Sequence, residues 1–361
     1  MERTTIVAAV SSGDIITVDL SHDDAQVEVV GCLPTGIETM SWSPDQDVCV
    51  VVSCPDEENK SKVVVMSSSF DVMIETHLNT SETGSCQFVN VGWGSKATQF
   101  HGSEGKQAAK VNPTNKGVKL ASDSGKTLVS WRRDGSLFAT SSLDPDRGHR
   151  VVRVWSREGV LQYTSDVVDG LDAVLAWRPS QEVIGVTQWS FNQRKVSFLE
   201  KNGLFLEGFS LPLNSLSPGD QITPTLLSWS NDSNIMSVVV EKRDQTWKPL
   251  KQFVLFYTTK NHVWYLKHVV DIEQGDFDGF ISALIWDPVD PSTVHFCQDS
   301  GVYSRMTFDY VIERCQKDSS VAVIDGRRIL ITPFSQRIIP PPMTGKYLCL
   351  IYVTKVILFA T

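Results

Sequence analysis

Three groupings of side chains in this 361-residue chain have types and spacings that chemistry could use. Gly102-Ser103-Glu104-Gly105-Lys106 is reminiscent of a phosphate loop, in which backbone N–H groups hold the anion and the lysine reaches its outer oxygens. The full pattern needs four residues between the glycines and a Ser or Thr after the lysine. Here two separate the glycines and Gln107 follows, so a polar turn is the plainer reading. His262 and His268, with five residues between them, reach a zinc-ligand spacing, but no close cysteine pair accompanies them. His101 and His149 fall in stretches read as loops, where solvated side chains are expected. A Ser/His/Asp set needs no proximity in sequence, yet no G-x-S-x-G elbow marks a nucleophile. The chain therefore reads as non-enzymatic, with no catalytic residue, no metal ligand set and no cofactor.

Binding is the stronger suspicion. Arg132, Arg133, Arg147, Arg150 and Arg153 lie close together and could form a positive patch for RNA or an acidic partner. The alternative puts Arg132 and Arg133 in a solvated turn and Arg153 on the outward face of its strand. A second candidate is the polar stretch Gln99, Phe100, His101, Gly102, Ser103, Glu104 and Gly105, either a partner-contact loop on a rigid scaffold or an ordered turn with structural glycines. With 33 basic against 42 acidic side chains, a net of −9, the chain repels phosphate backbones unless its cations gather on one face.

The elements that must position these residues repeat. An extended segment ending in tryptophan, a tight polar turn and a second extended segment recur around Trp42, Trp93, Trp131, Trp177, Trp229 and Trp286, spaced 38 to 57 residues apart. That period, with about four strands in each, is the mark of propeller blades. The fold class expected is an all-β, WD40-like β-propeller of about six to seven blade units, since nowhere do apolar residues keep a helical period for three turns. In five of the six units a small residue precedes the tryptophan, namely Ser41, Gly92, Ser130, Ala176 and Ser228; Ile285 breaks the pattern. The indole is expected to fill the wedge between neighbouring sheets, with the small residue on the opposite face where sheets approach closely. Within this frame Val48 to Val52 suits a buried strand, and Lys201-Asn202-Gly203 and Asp325-Gly326 signal hairpin turns, the first of type I′.

Hydrophobic residues at 41% and charged residues at 21% argue against both disorder and a membrane protein. The seven cysteines are odd in number and none are spaced as C-x-x-C, which suits a reducing compartment. The apolar run Ile6 to Val10 is too short for a signal-peptide core.

Several strings, in a fixed order, carry a family likeness: MSWSPDQ (Met40 to Gln46), VGWGSKATQFHGSEGKQAA (Val91 to Ala109), VRVWSREG (Val152 to Gly159), LAWRPS (Leu175 to Ser180), EKNGL (Glu200 to Leu204), WYLK (Trp264 to Lys267), WDPV (Trp286 to Val289), VAVIDGRRILIT (Val321 to Thr332) and PPPM (Pro340 to Met343). Together they resemble the N-terminal propeller region of the Elongator complex protein 1 family. The resemblance implies a non-catalytic scaffold subunit that presents propeller loops to the catalytic acetyltransferase subunit and to an accessory propeller subunit. The complex modifies the wobble uridine of transfer RNA, which this chain would meet indirectly through the complex, and it works in the cytoplasm, with the nucleus as a second compartment. The alternative function is an RNA-binding propeller acting through the five arginines.

Residues 1–343 are thus expected to form the propeller region, the first propeller and the start of the next segment, and 344–361 a divergent apolar tail. That tail, interrupted by Lys346 and Lys355, is short of a comfortable membrane span. Against the family plan the chain is expected to start part-way through the first propeller, to stop before the second is complete, and to lack the helical dimerisation region. Unpaired strand edges are then expected within residues 1 to 30 or after Pro340.

Overall fold

The turn that repeats after Trp42, Trp131 and Trp229 shows how sequence sets this architecture. In Trp42-Ser43-Pro44-Asp45-Gln46-Asp47-Val48 the Ser43 N–H donates to the Val48 carbonyl at 2.8 Å and the Gln46 N–H to the Ser43 carbonyl at 2.9 Å. The same pair of bonds closes Arg132 to Leu137 and Ser230 to Ile235, and Arg178 N–H donates to the Val183 carbonyl at 2.9 Å. One position in the turn needs positive φ, filled by Gln46 (62°), Gly135 (68°) and Ser233 (63°). Asp45 and Asp232 accept from the Ser43 and Ser230 hydroxyls, the side-chain chemistry that favours Ser and Asp in turns.

The structure is a computed structural model, and it describes residues 5–21, 26–79, 84, 120, 122–180, 182–212, 221–260, 263–272, 279–309, 319–336, 338 and 345–349. All regular structure in them is strand. Sheet 1 holds β1 (Thr5–Ala9), β2 (Asp14–Asp19) and β3 (Gln26–Cys32); sheet 2 holds β4 (Ile37–Trp42), β5 (Val48–Ser53), β6 (Lys62–Ser67) and β7 (Val72–His77). Sheet 3 holds β8 (Leu128–Trp131), β9 (Leu137–Asp144), β10 (His149–Ser156) and β11 (Leu161–Thr164). Sheet 4 holds β12 (Leu171–Trp177), β13 (Val183–Ser190), β14 (Gln193–Glu200) and β15 (Phe205–Ser210). Sheet 5 holds β16 (Gln221–Trp229), β17 (Ile235–Arg243), β18 (Pro249–Lys260) and β19 (Val263–Asp271). Sheet 6 holds β20 (Ile281–Trp286), β21 (Thr293–Gln298) and β22 (Tyr303–Thr307), and sheet 7 holds β23 (Ser320–Asp325), β24 (Arg328–Pro333) and β25 (Gly345–Leu348). Each is an antiparallel meander, the repeat unit of a β-propeller.

The chain divides into two compact units, Met1–Gly208 and Phe209–Thr361. In the first, cores lie between successive sheets. Ile15 and Leu33 of the sheet 1 region pack on Cys49, Val51, Val64 and Met66 of sheet 2. The opposite face of sheet 2, with Val48, Val50, Val52, Val63 and Val65, meets Phe138, Trp155 and Leu161 of sheet 3. A third core joins Val152 and Val154 of sheet 3 to Trp177, Ile184 and Leu199 of sheet 4. Strand β5 is buried at every residue because both its faces are covered, which is why it reads as an unbroken apolar run. Sheets 2 and 3 share a core among the described residues.

In the second unit Val239, Val254, Phe256 and Val270 of sheet 5 pack against Leu284, Trp286, Val294 and Phe296 of sheet 6. Sheet 7 attaches to β19: the Gly326 N–H donates to the Leu266 carbonyl at 2.7 Å, the Leu266 N–H to Asp325 Oδ1 at 3.0 Å and Lys267 Nζ to the Ile324 carbonyl at 2.7 Å.

Of the two expected hairpin turns, the first differs in type and the second is present with its loop one residue further on. At Lys201-Asn202-Gly203 only Gly203 has positive φ (85°), and its N–H donates to the Glu200 carbonyl at 2.9 Å. That is a right-handed turn followed by a left-handed glycine, the three-residue hairpin, rather than type I′. At the second, Asp325 pairs with Arg328, so the loop is Gly326-Arg327, with positive φ only at Gly326. The side-chain amide of Asn202 explains the first difference: its Oδ1 accepts the Leu204 N–H at 3.0 Å, holding Asn202 in the ordinary half of the map.

Candidate functional site

The arginines of sheet 3 were the densest binding candidates in the sequence, and the strands set them apart. Arg132 and Arg133 occupy the turn between β8 and β9, whereas Arg147 lies in the turn between β9 and β10 and Arg150 and Arg153 lie along β10. Eight residues of β9 separate the two ends, roughly 23 Å at the rise of a strand. They form no single patch.

Nor are they alike in exposure. Arg150 is 2% exposed and holds Asp123 in a two-pronged contact, Nη2 to Oδ1 at 2.5 Å and Nε to Oδ2 at 2.8 Å. Its Nη1 donates to the carbonyls of Lys126 and Ser141, both at 2.9 Å. Arg153 is fully buried, paired with Asp144 through Nη2, with Nη1 on Asn79 Oδ1 at 3.1 Å. Burial lowers its guanidinium pKa from the ordinary range, and Asp144 opposes that shift. The outward placement expected for Arg153 is therefore corrected: the middle strand of a blade has covered faces on both sides. Arg147 leans on Asp144 at 3.7 Å, while Arg132 meets Asp134 at 3.4 Å and Glu182 at 3.3 Å. Arg133 is exposed. Arg150 and Arg153 are thus out of reach of any RNA, which removes the basis for an RNA site built on all five.

A third buried pair went unnoticed in the sequence. Arg194 at the start of β14 contacts Asp172 at the start of β12 through Nη1, its Nη2 donates to Ser122 Oγ at 3.2 Å, and Thr187 Oγ1 donates to Asp172 Oδ2 at 3.1 Å. Burial pushes the Asp172 carboxyl up, against the pull of Arg194 and Thr187. All three cations lie on the third strand of a sheet, Arg150 and Arg153 on β10 and Arg194 on β14, with their carboxylates on β9, on β12 or before β8. They tie neighbouring loops to the strands, and each cation is neutralised in place. His149, expected in solvent, is 2% exposed at the head of β10, its Nδ1 3.1 Å from the Arg147 carbonyl.

The five described tryptophans of the repeat each end the first strand of a sheet, and three of them bond to a neighbouring sheet. Trp177, Trp229 and Trp286 are 4%, 6% and 6% exposed, while Trp42 and Trp131 are half-buried. Trp131 Nε1 donates to the Ser41 carbonyl at 3.2 Å, from sheet 3 to sheet 2. The Trp177 N–H donates to Ser130 Oγ at 2.9 Å, from sheet 4 to sheet 3, and Trp286 Nε1 donates to Ser237 Oγ at 3.1 Å, from sheet 6 to sheet 5. Ser41 and Ser130 are the small residues that precede a tryptophan, and Ser237 pairs across strands with a third, Ser228. Trp93, Gln99, Phe100, His101, Gly102, Ser103, Glu104, Gly105 and His262 lie outside the described residues.

Among the described residues no group of three or more His, Cys, Asp and Glu side chains is placed to hold a metal. His268 instead lies between Phe256 and Phe308, with ring centroids 6.3 and 5.9 Å away. Burial lowers its pKa. The unfolded chain then takes up a proton near pH 6.5 that the folded chain refuses, so stability falls as pH drops below about 6.5 towards the lower folded value. Urea unfolding at pH 7.5 and 5.5 should show a smaller acid loss for His268→Phe than for the parent; equal losses would place the dependence elsewhere.

The chain is similar throughout to proteins of known family. A family model described as the ELP1 first N-terminal beta-propeller matches residues 1–289, and that of the ELP1 N-terminal second beta-propeller matches residues 323–359. The second match takes in most of residues 344–361, the stretch expected as a divergent apolar tail. Elongator complex protein 1 of Oryctolagus cuniculus is 37% identical over 350 residues, covering 95% of this chain and 25% of the relative. The Drosophila melanogaster protein of that name is 36% identical over 347 residues, 94% of this chain and 26% of its own length. That of Schizosaccharomyces pombe is 32% identical over 367 residues, 97% and 27%. The chain spans about a quarter of the length of these curated relatives.

Proposed function

The chain belongs to the Elongator complex protein 1 family, and from that premise we propose that it is a non-catalytic scaffold module of the Elongator complex, holding loops on rigid sheets for the catalytic acetyltransferase subunit and an accessory propeller subunit. The observation that carries the reading is the match of the first-propeller family model to residues 1–289. Transfer RNA enters this reading as the substrate of the assembled complex, at its wobble uridine. The cytoplasm is the compartment proposed, in keeping with seven cysteines none of which are spaced as C-x-x-C.

Two surfaces are proposed for contact. Sheets 2 and 3 pack directly on each other, yet the connection from His77 to Leu128 is far longer than the short links between the other sheets. The stretch Gln99 to Gly105 lies in that connection, and long connections between packed elements commonly serve binding. Arg132 and Arg133, in the turn between β8 and β9, are the second.

The test is a pull-down of this chain against the purified catalytic and accessory subunits, with a gel shift on transfer RNA across a salt series beside it. The expected result is subunit capture and weak RNA binding. Arg132→Glu with Arg133→Glu should weaken capture a few-fold, the size of a solvent-exposed charge effect. No capture of either subunit would remove the scaffold reading, and tight, steeply salt-dependent RNA binding by the chain alone would replace it.

A further inference from the structure

The hairpin joining β13 to β14 carries an aromatic residue where the backbone disfavours one. Ser190 pairs with Gln193, leaving Phe191 and Asn192 as a two-residue loop with φ of 50° and 60°. Positive φ at both positions is the type I′ turn, which takes Asn, Asp or Gly readily. A bulky side chain there is an outlier with a conformational cost. Phe191 recovers little of it among the described residues: it is 91% exposed, and its ring contact there is Lys195 Nζ, 5.5 Å from the centroid. Beside it Trp189 is 41% exposed.

The tip is nonetheless held firmly. The Trp189 N–H donates to the Gly170 carbonyl at 2.7 Å, and the guanidinium of Arg194, directly across the ladder, lies 5.1 Å from the indole. Arg194 is itself fixed by Asp172 and Ser122. Two exposed rings on a stiff support have little freedom to lose on binding, the property that makes aromatic side chains effective anchors. Charge decides the kind of partner. Both cations at the tip have carboxylate partners, Arg194 with Asp172 and Lys195 with Glu207 at 3.0 Å, so the tip offers phosphate little.

We propose that this hairpin tip is a docking knob for another protein, with Phe191 entering a ring-sized apolar pocket on the partner and Trp189 covering its rim. The choice of partner among the Elongator subunits rests on the scaffold reading; the knob itself rests on the geometry above.

The experiment titrates the chain, unaltered or as Phe191→Asn or Phe191→Tyr, against the remaining Elongator subunits reconstituted together and separately against transfer RNA, with thermal unfolding of each variant. Phe191→Asn should unfold at a higher temperature, because asparagine suits the turn, yet bind the subunits about ten- to hundredfold more weakly, the loss of one buried ring. Phe191→Tyr should retain most of the affinity. Unchanged affinity of Phe191→Asn while the unaltered chain binds would overturn the knob and leave the scaffold reading standing; no binding by the unaltered chain would overturn both. A lower unfolding temperature for Phe191→Asn would remove the argument from strain, and a loss confined to transfer RNA would make the tip a base-stacking platform instead.

Discussion

Trp177→Ala should lower the stability of this chain by about 3 to 5 kcal/mol, the range for emptying a buried aromatic site. Its side chain is 4% exposed in the core between sheets 3 and 4, against Val152, Val154, Ile184 and Leu199. Those neighbours are β-branched or Leu residues in paired strands, fixed by two ladders of backbone hydrogen bonds, so the site cannot collapse onto the vacancy. The backbone bond to Ser130 Oγ survives the substitution. The indole Nε1 is buried with no hydrogen-bond partner, so the loss is one of packing. Urea unfolding measures it, and a change under about 1 kcal/mol would mean that the ring is not part of the core.

Asp144→Ala should cost as much for a different reason. It strands the Arg153 guanidinium, fully buried, with Asn79 as its remaining side-chain acceptor. Removing one member of a buried pair costs about 3 to 5 kcal/mol because the surviving charge has neither water nor counter-ion. The pair's net worth is a separate quantity, and replacing both members by apolar residues can be close to neutral. Asp144→Ala combined with Arg153→Met should therefore recover most of the lost stability. A double variant as unstable as the sum of the two single ones would show that the residues act independently, contrary to their direct contact.

The contrast between these two sites shows what could be read from residues alone. Trp177 was visible because its signal repeats: a tryptophan before a polar turn, with a small residue ahead of it, describes a position common to several sheets. The run Val48 to Val52 was likewise legible, since a strand covered on both faces has no room for a polar residue. Arg153 was misread because arginine is ordinarily a surface residue. The clue was its setting, in the middle of Val151 to Trp155, where every neighbour belongs to a covered strand. Its counter-ion comes from register: Asp144 ends β9 and is reached only once that strand is laid beside β10. Arg150 is harder still, because Asp123 lies 27 residues away in a connection with no periodicity. The β13–β14 tip was missed for the opposite reason. Trp189-Ser190-Phe191-Asn192 breaks the usual turn chemistry, and a residue that contradicts its local structure leaves no pattern to recognise.

Every sheet described here is made of strands that follow one another along the chain. No strand of any of them waits for a partner made much later in synthesis. A nascent chain can therefore complete each sheet soon after its last strand leaves the ribosome. That topology permits vectorial assembly, in the order of translation, and the longest interval between sheets that share a core is the stretch from His77 to Leu128.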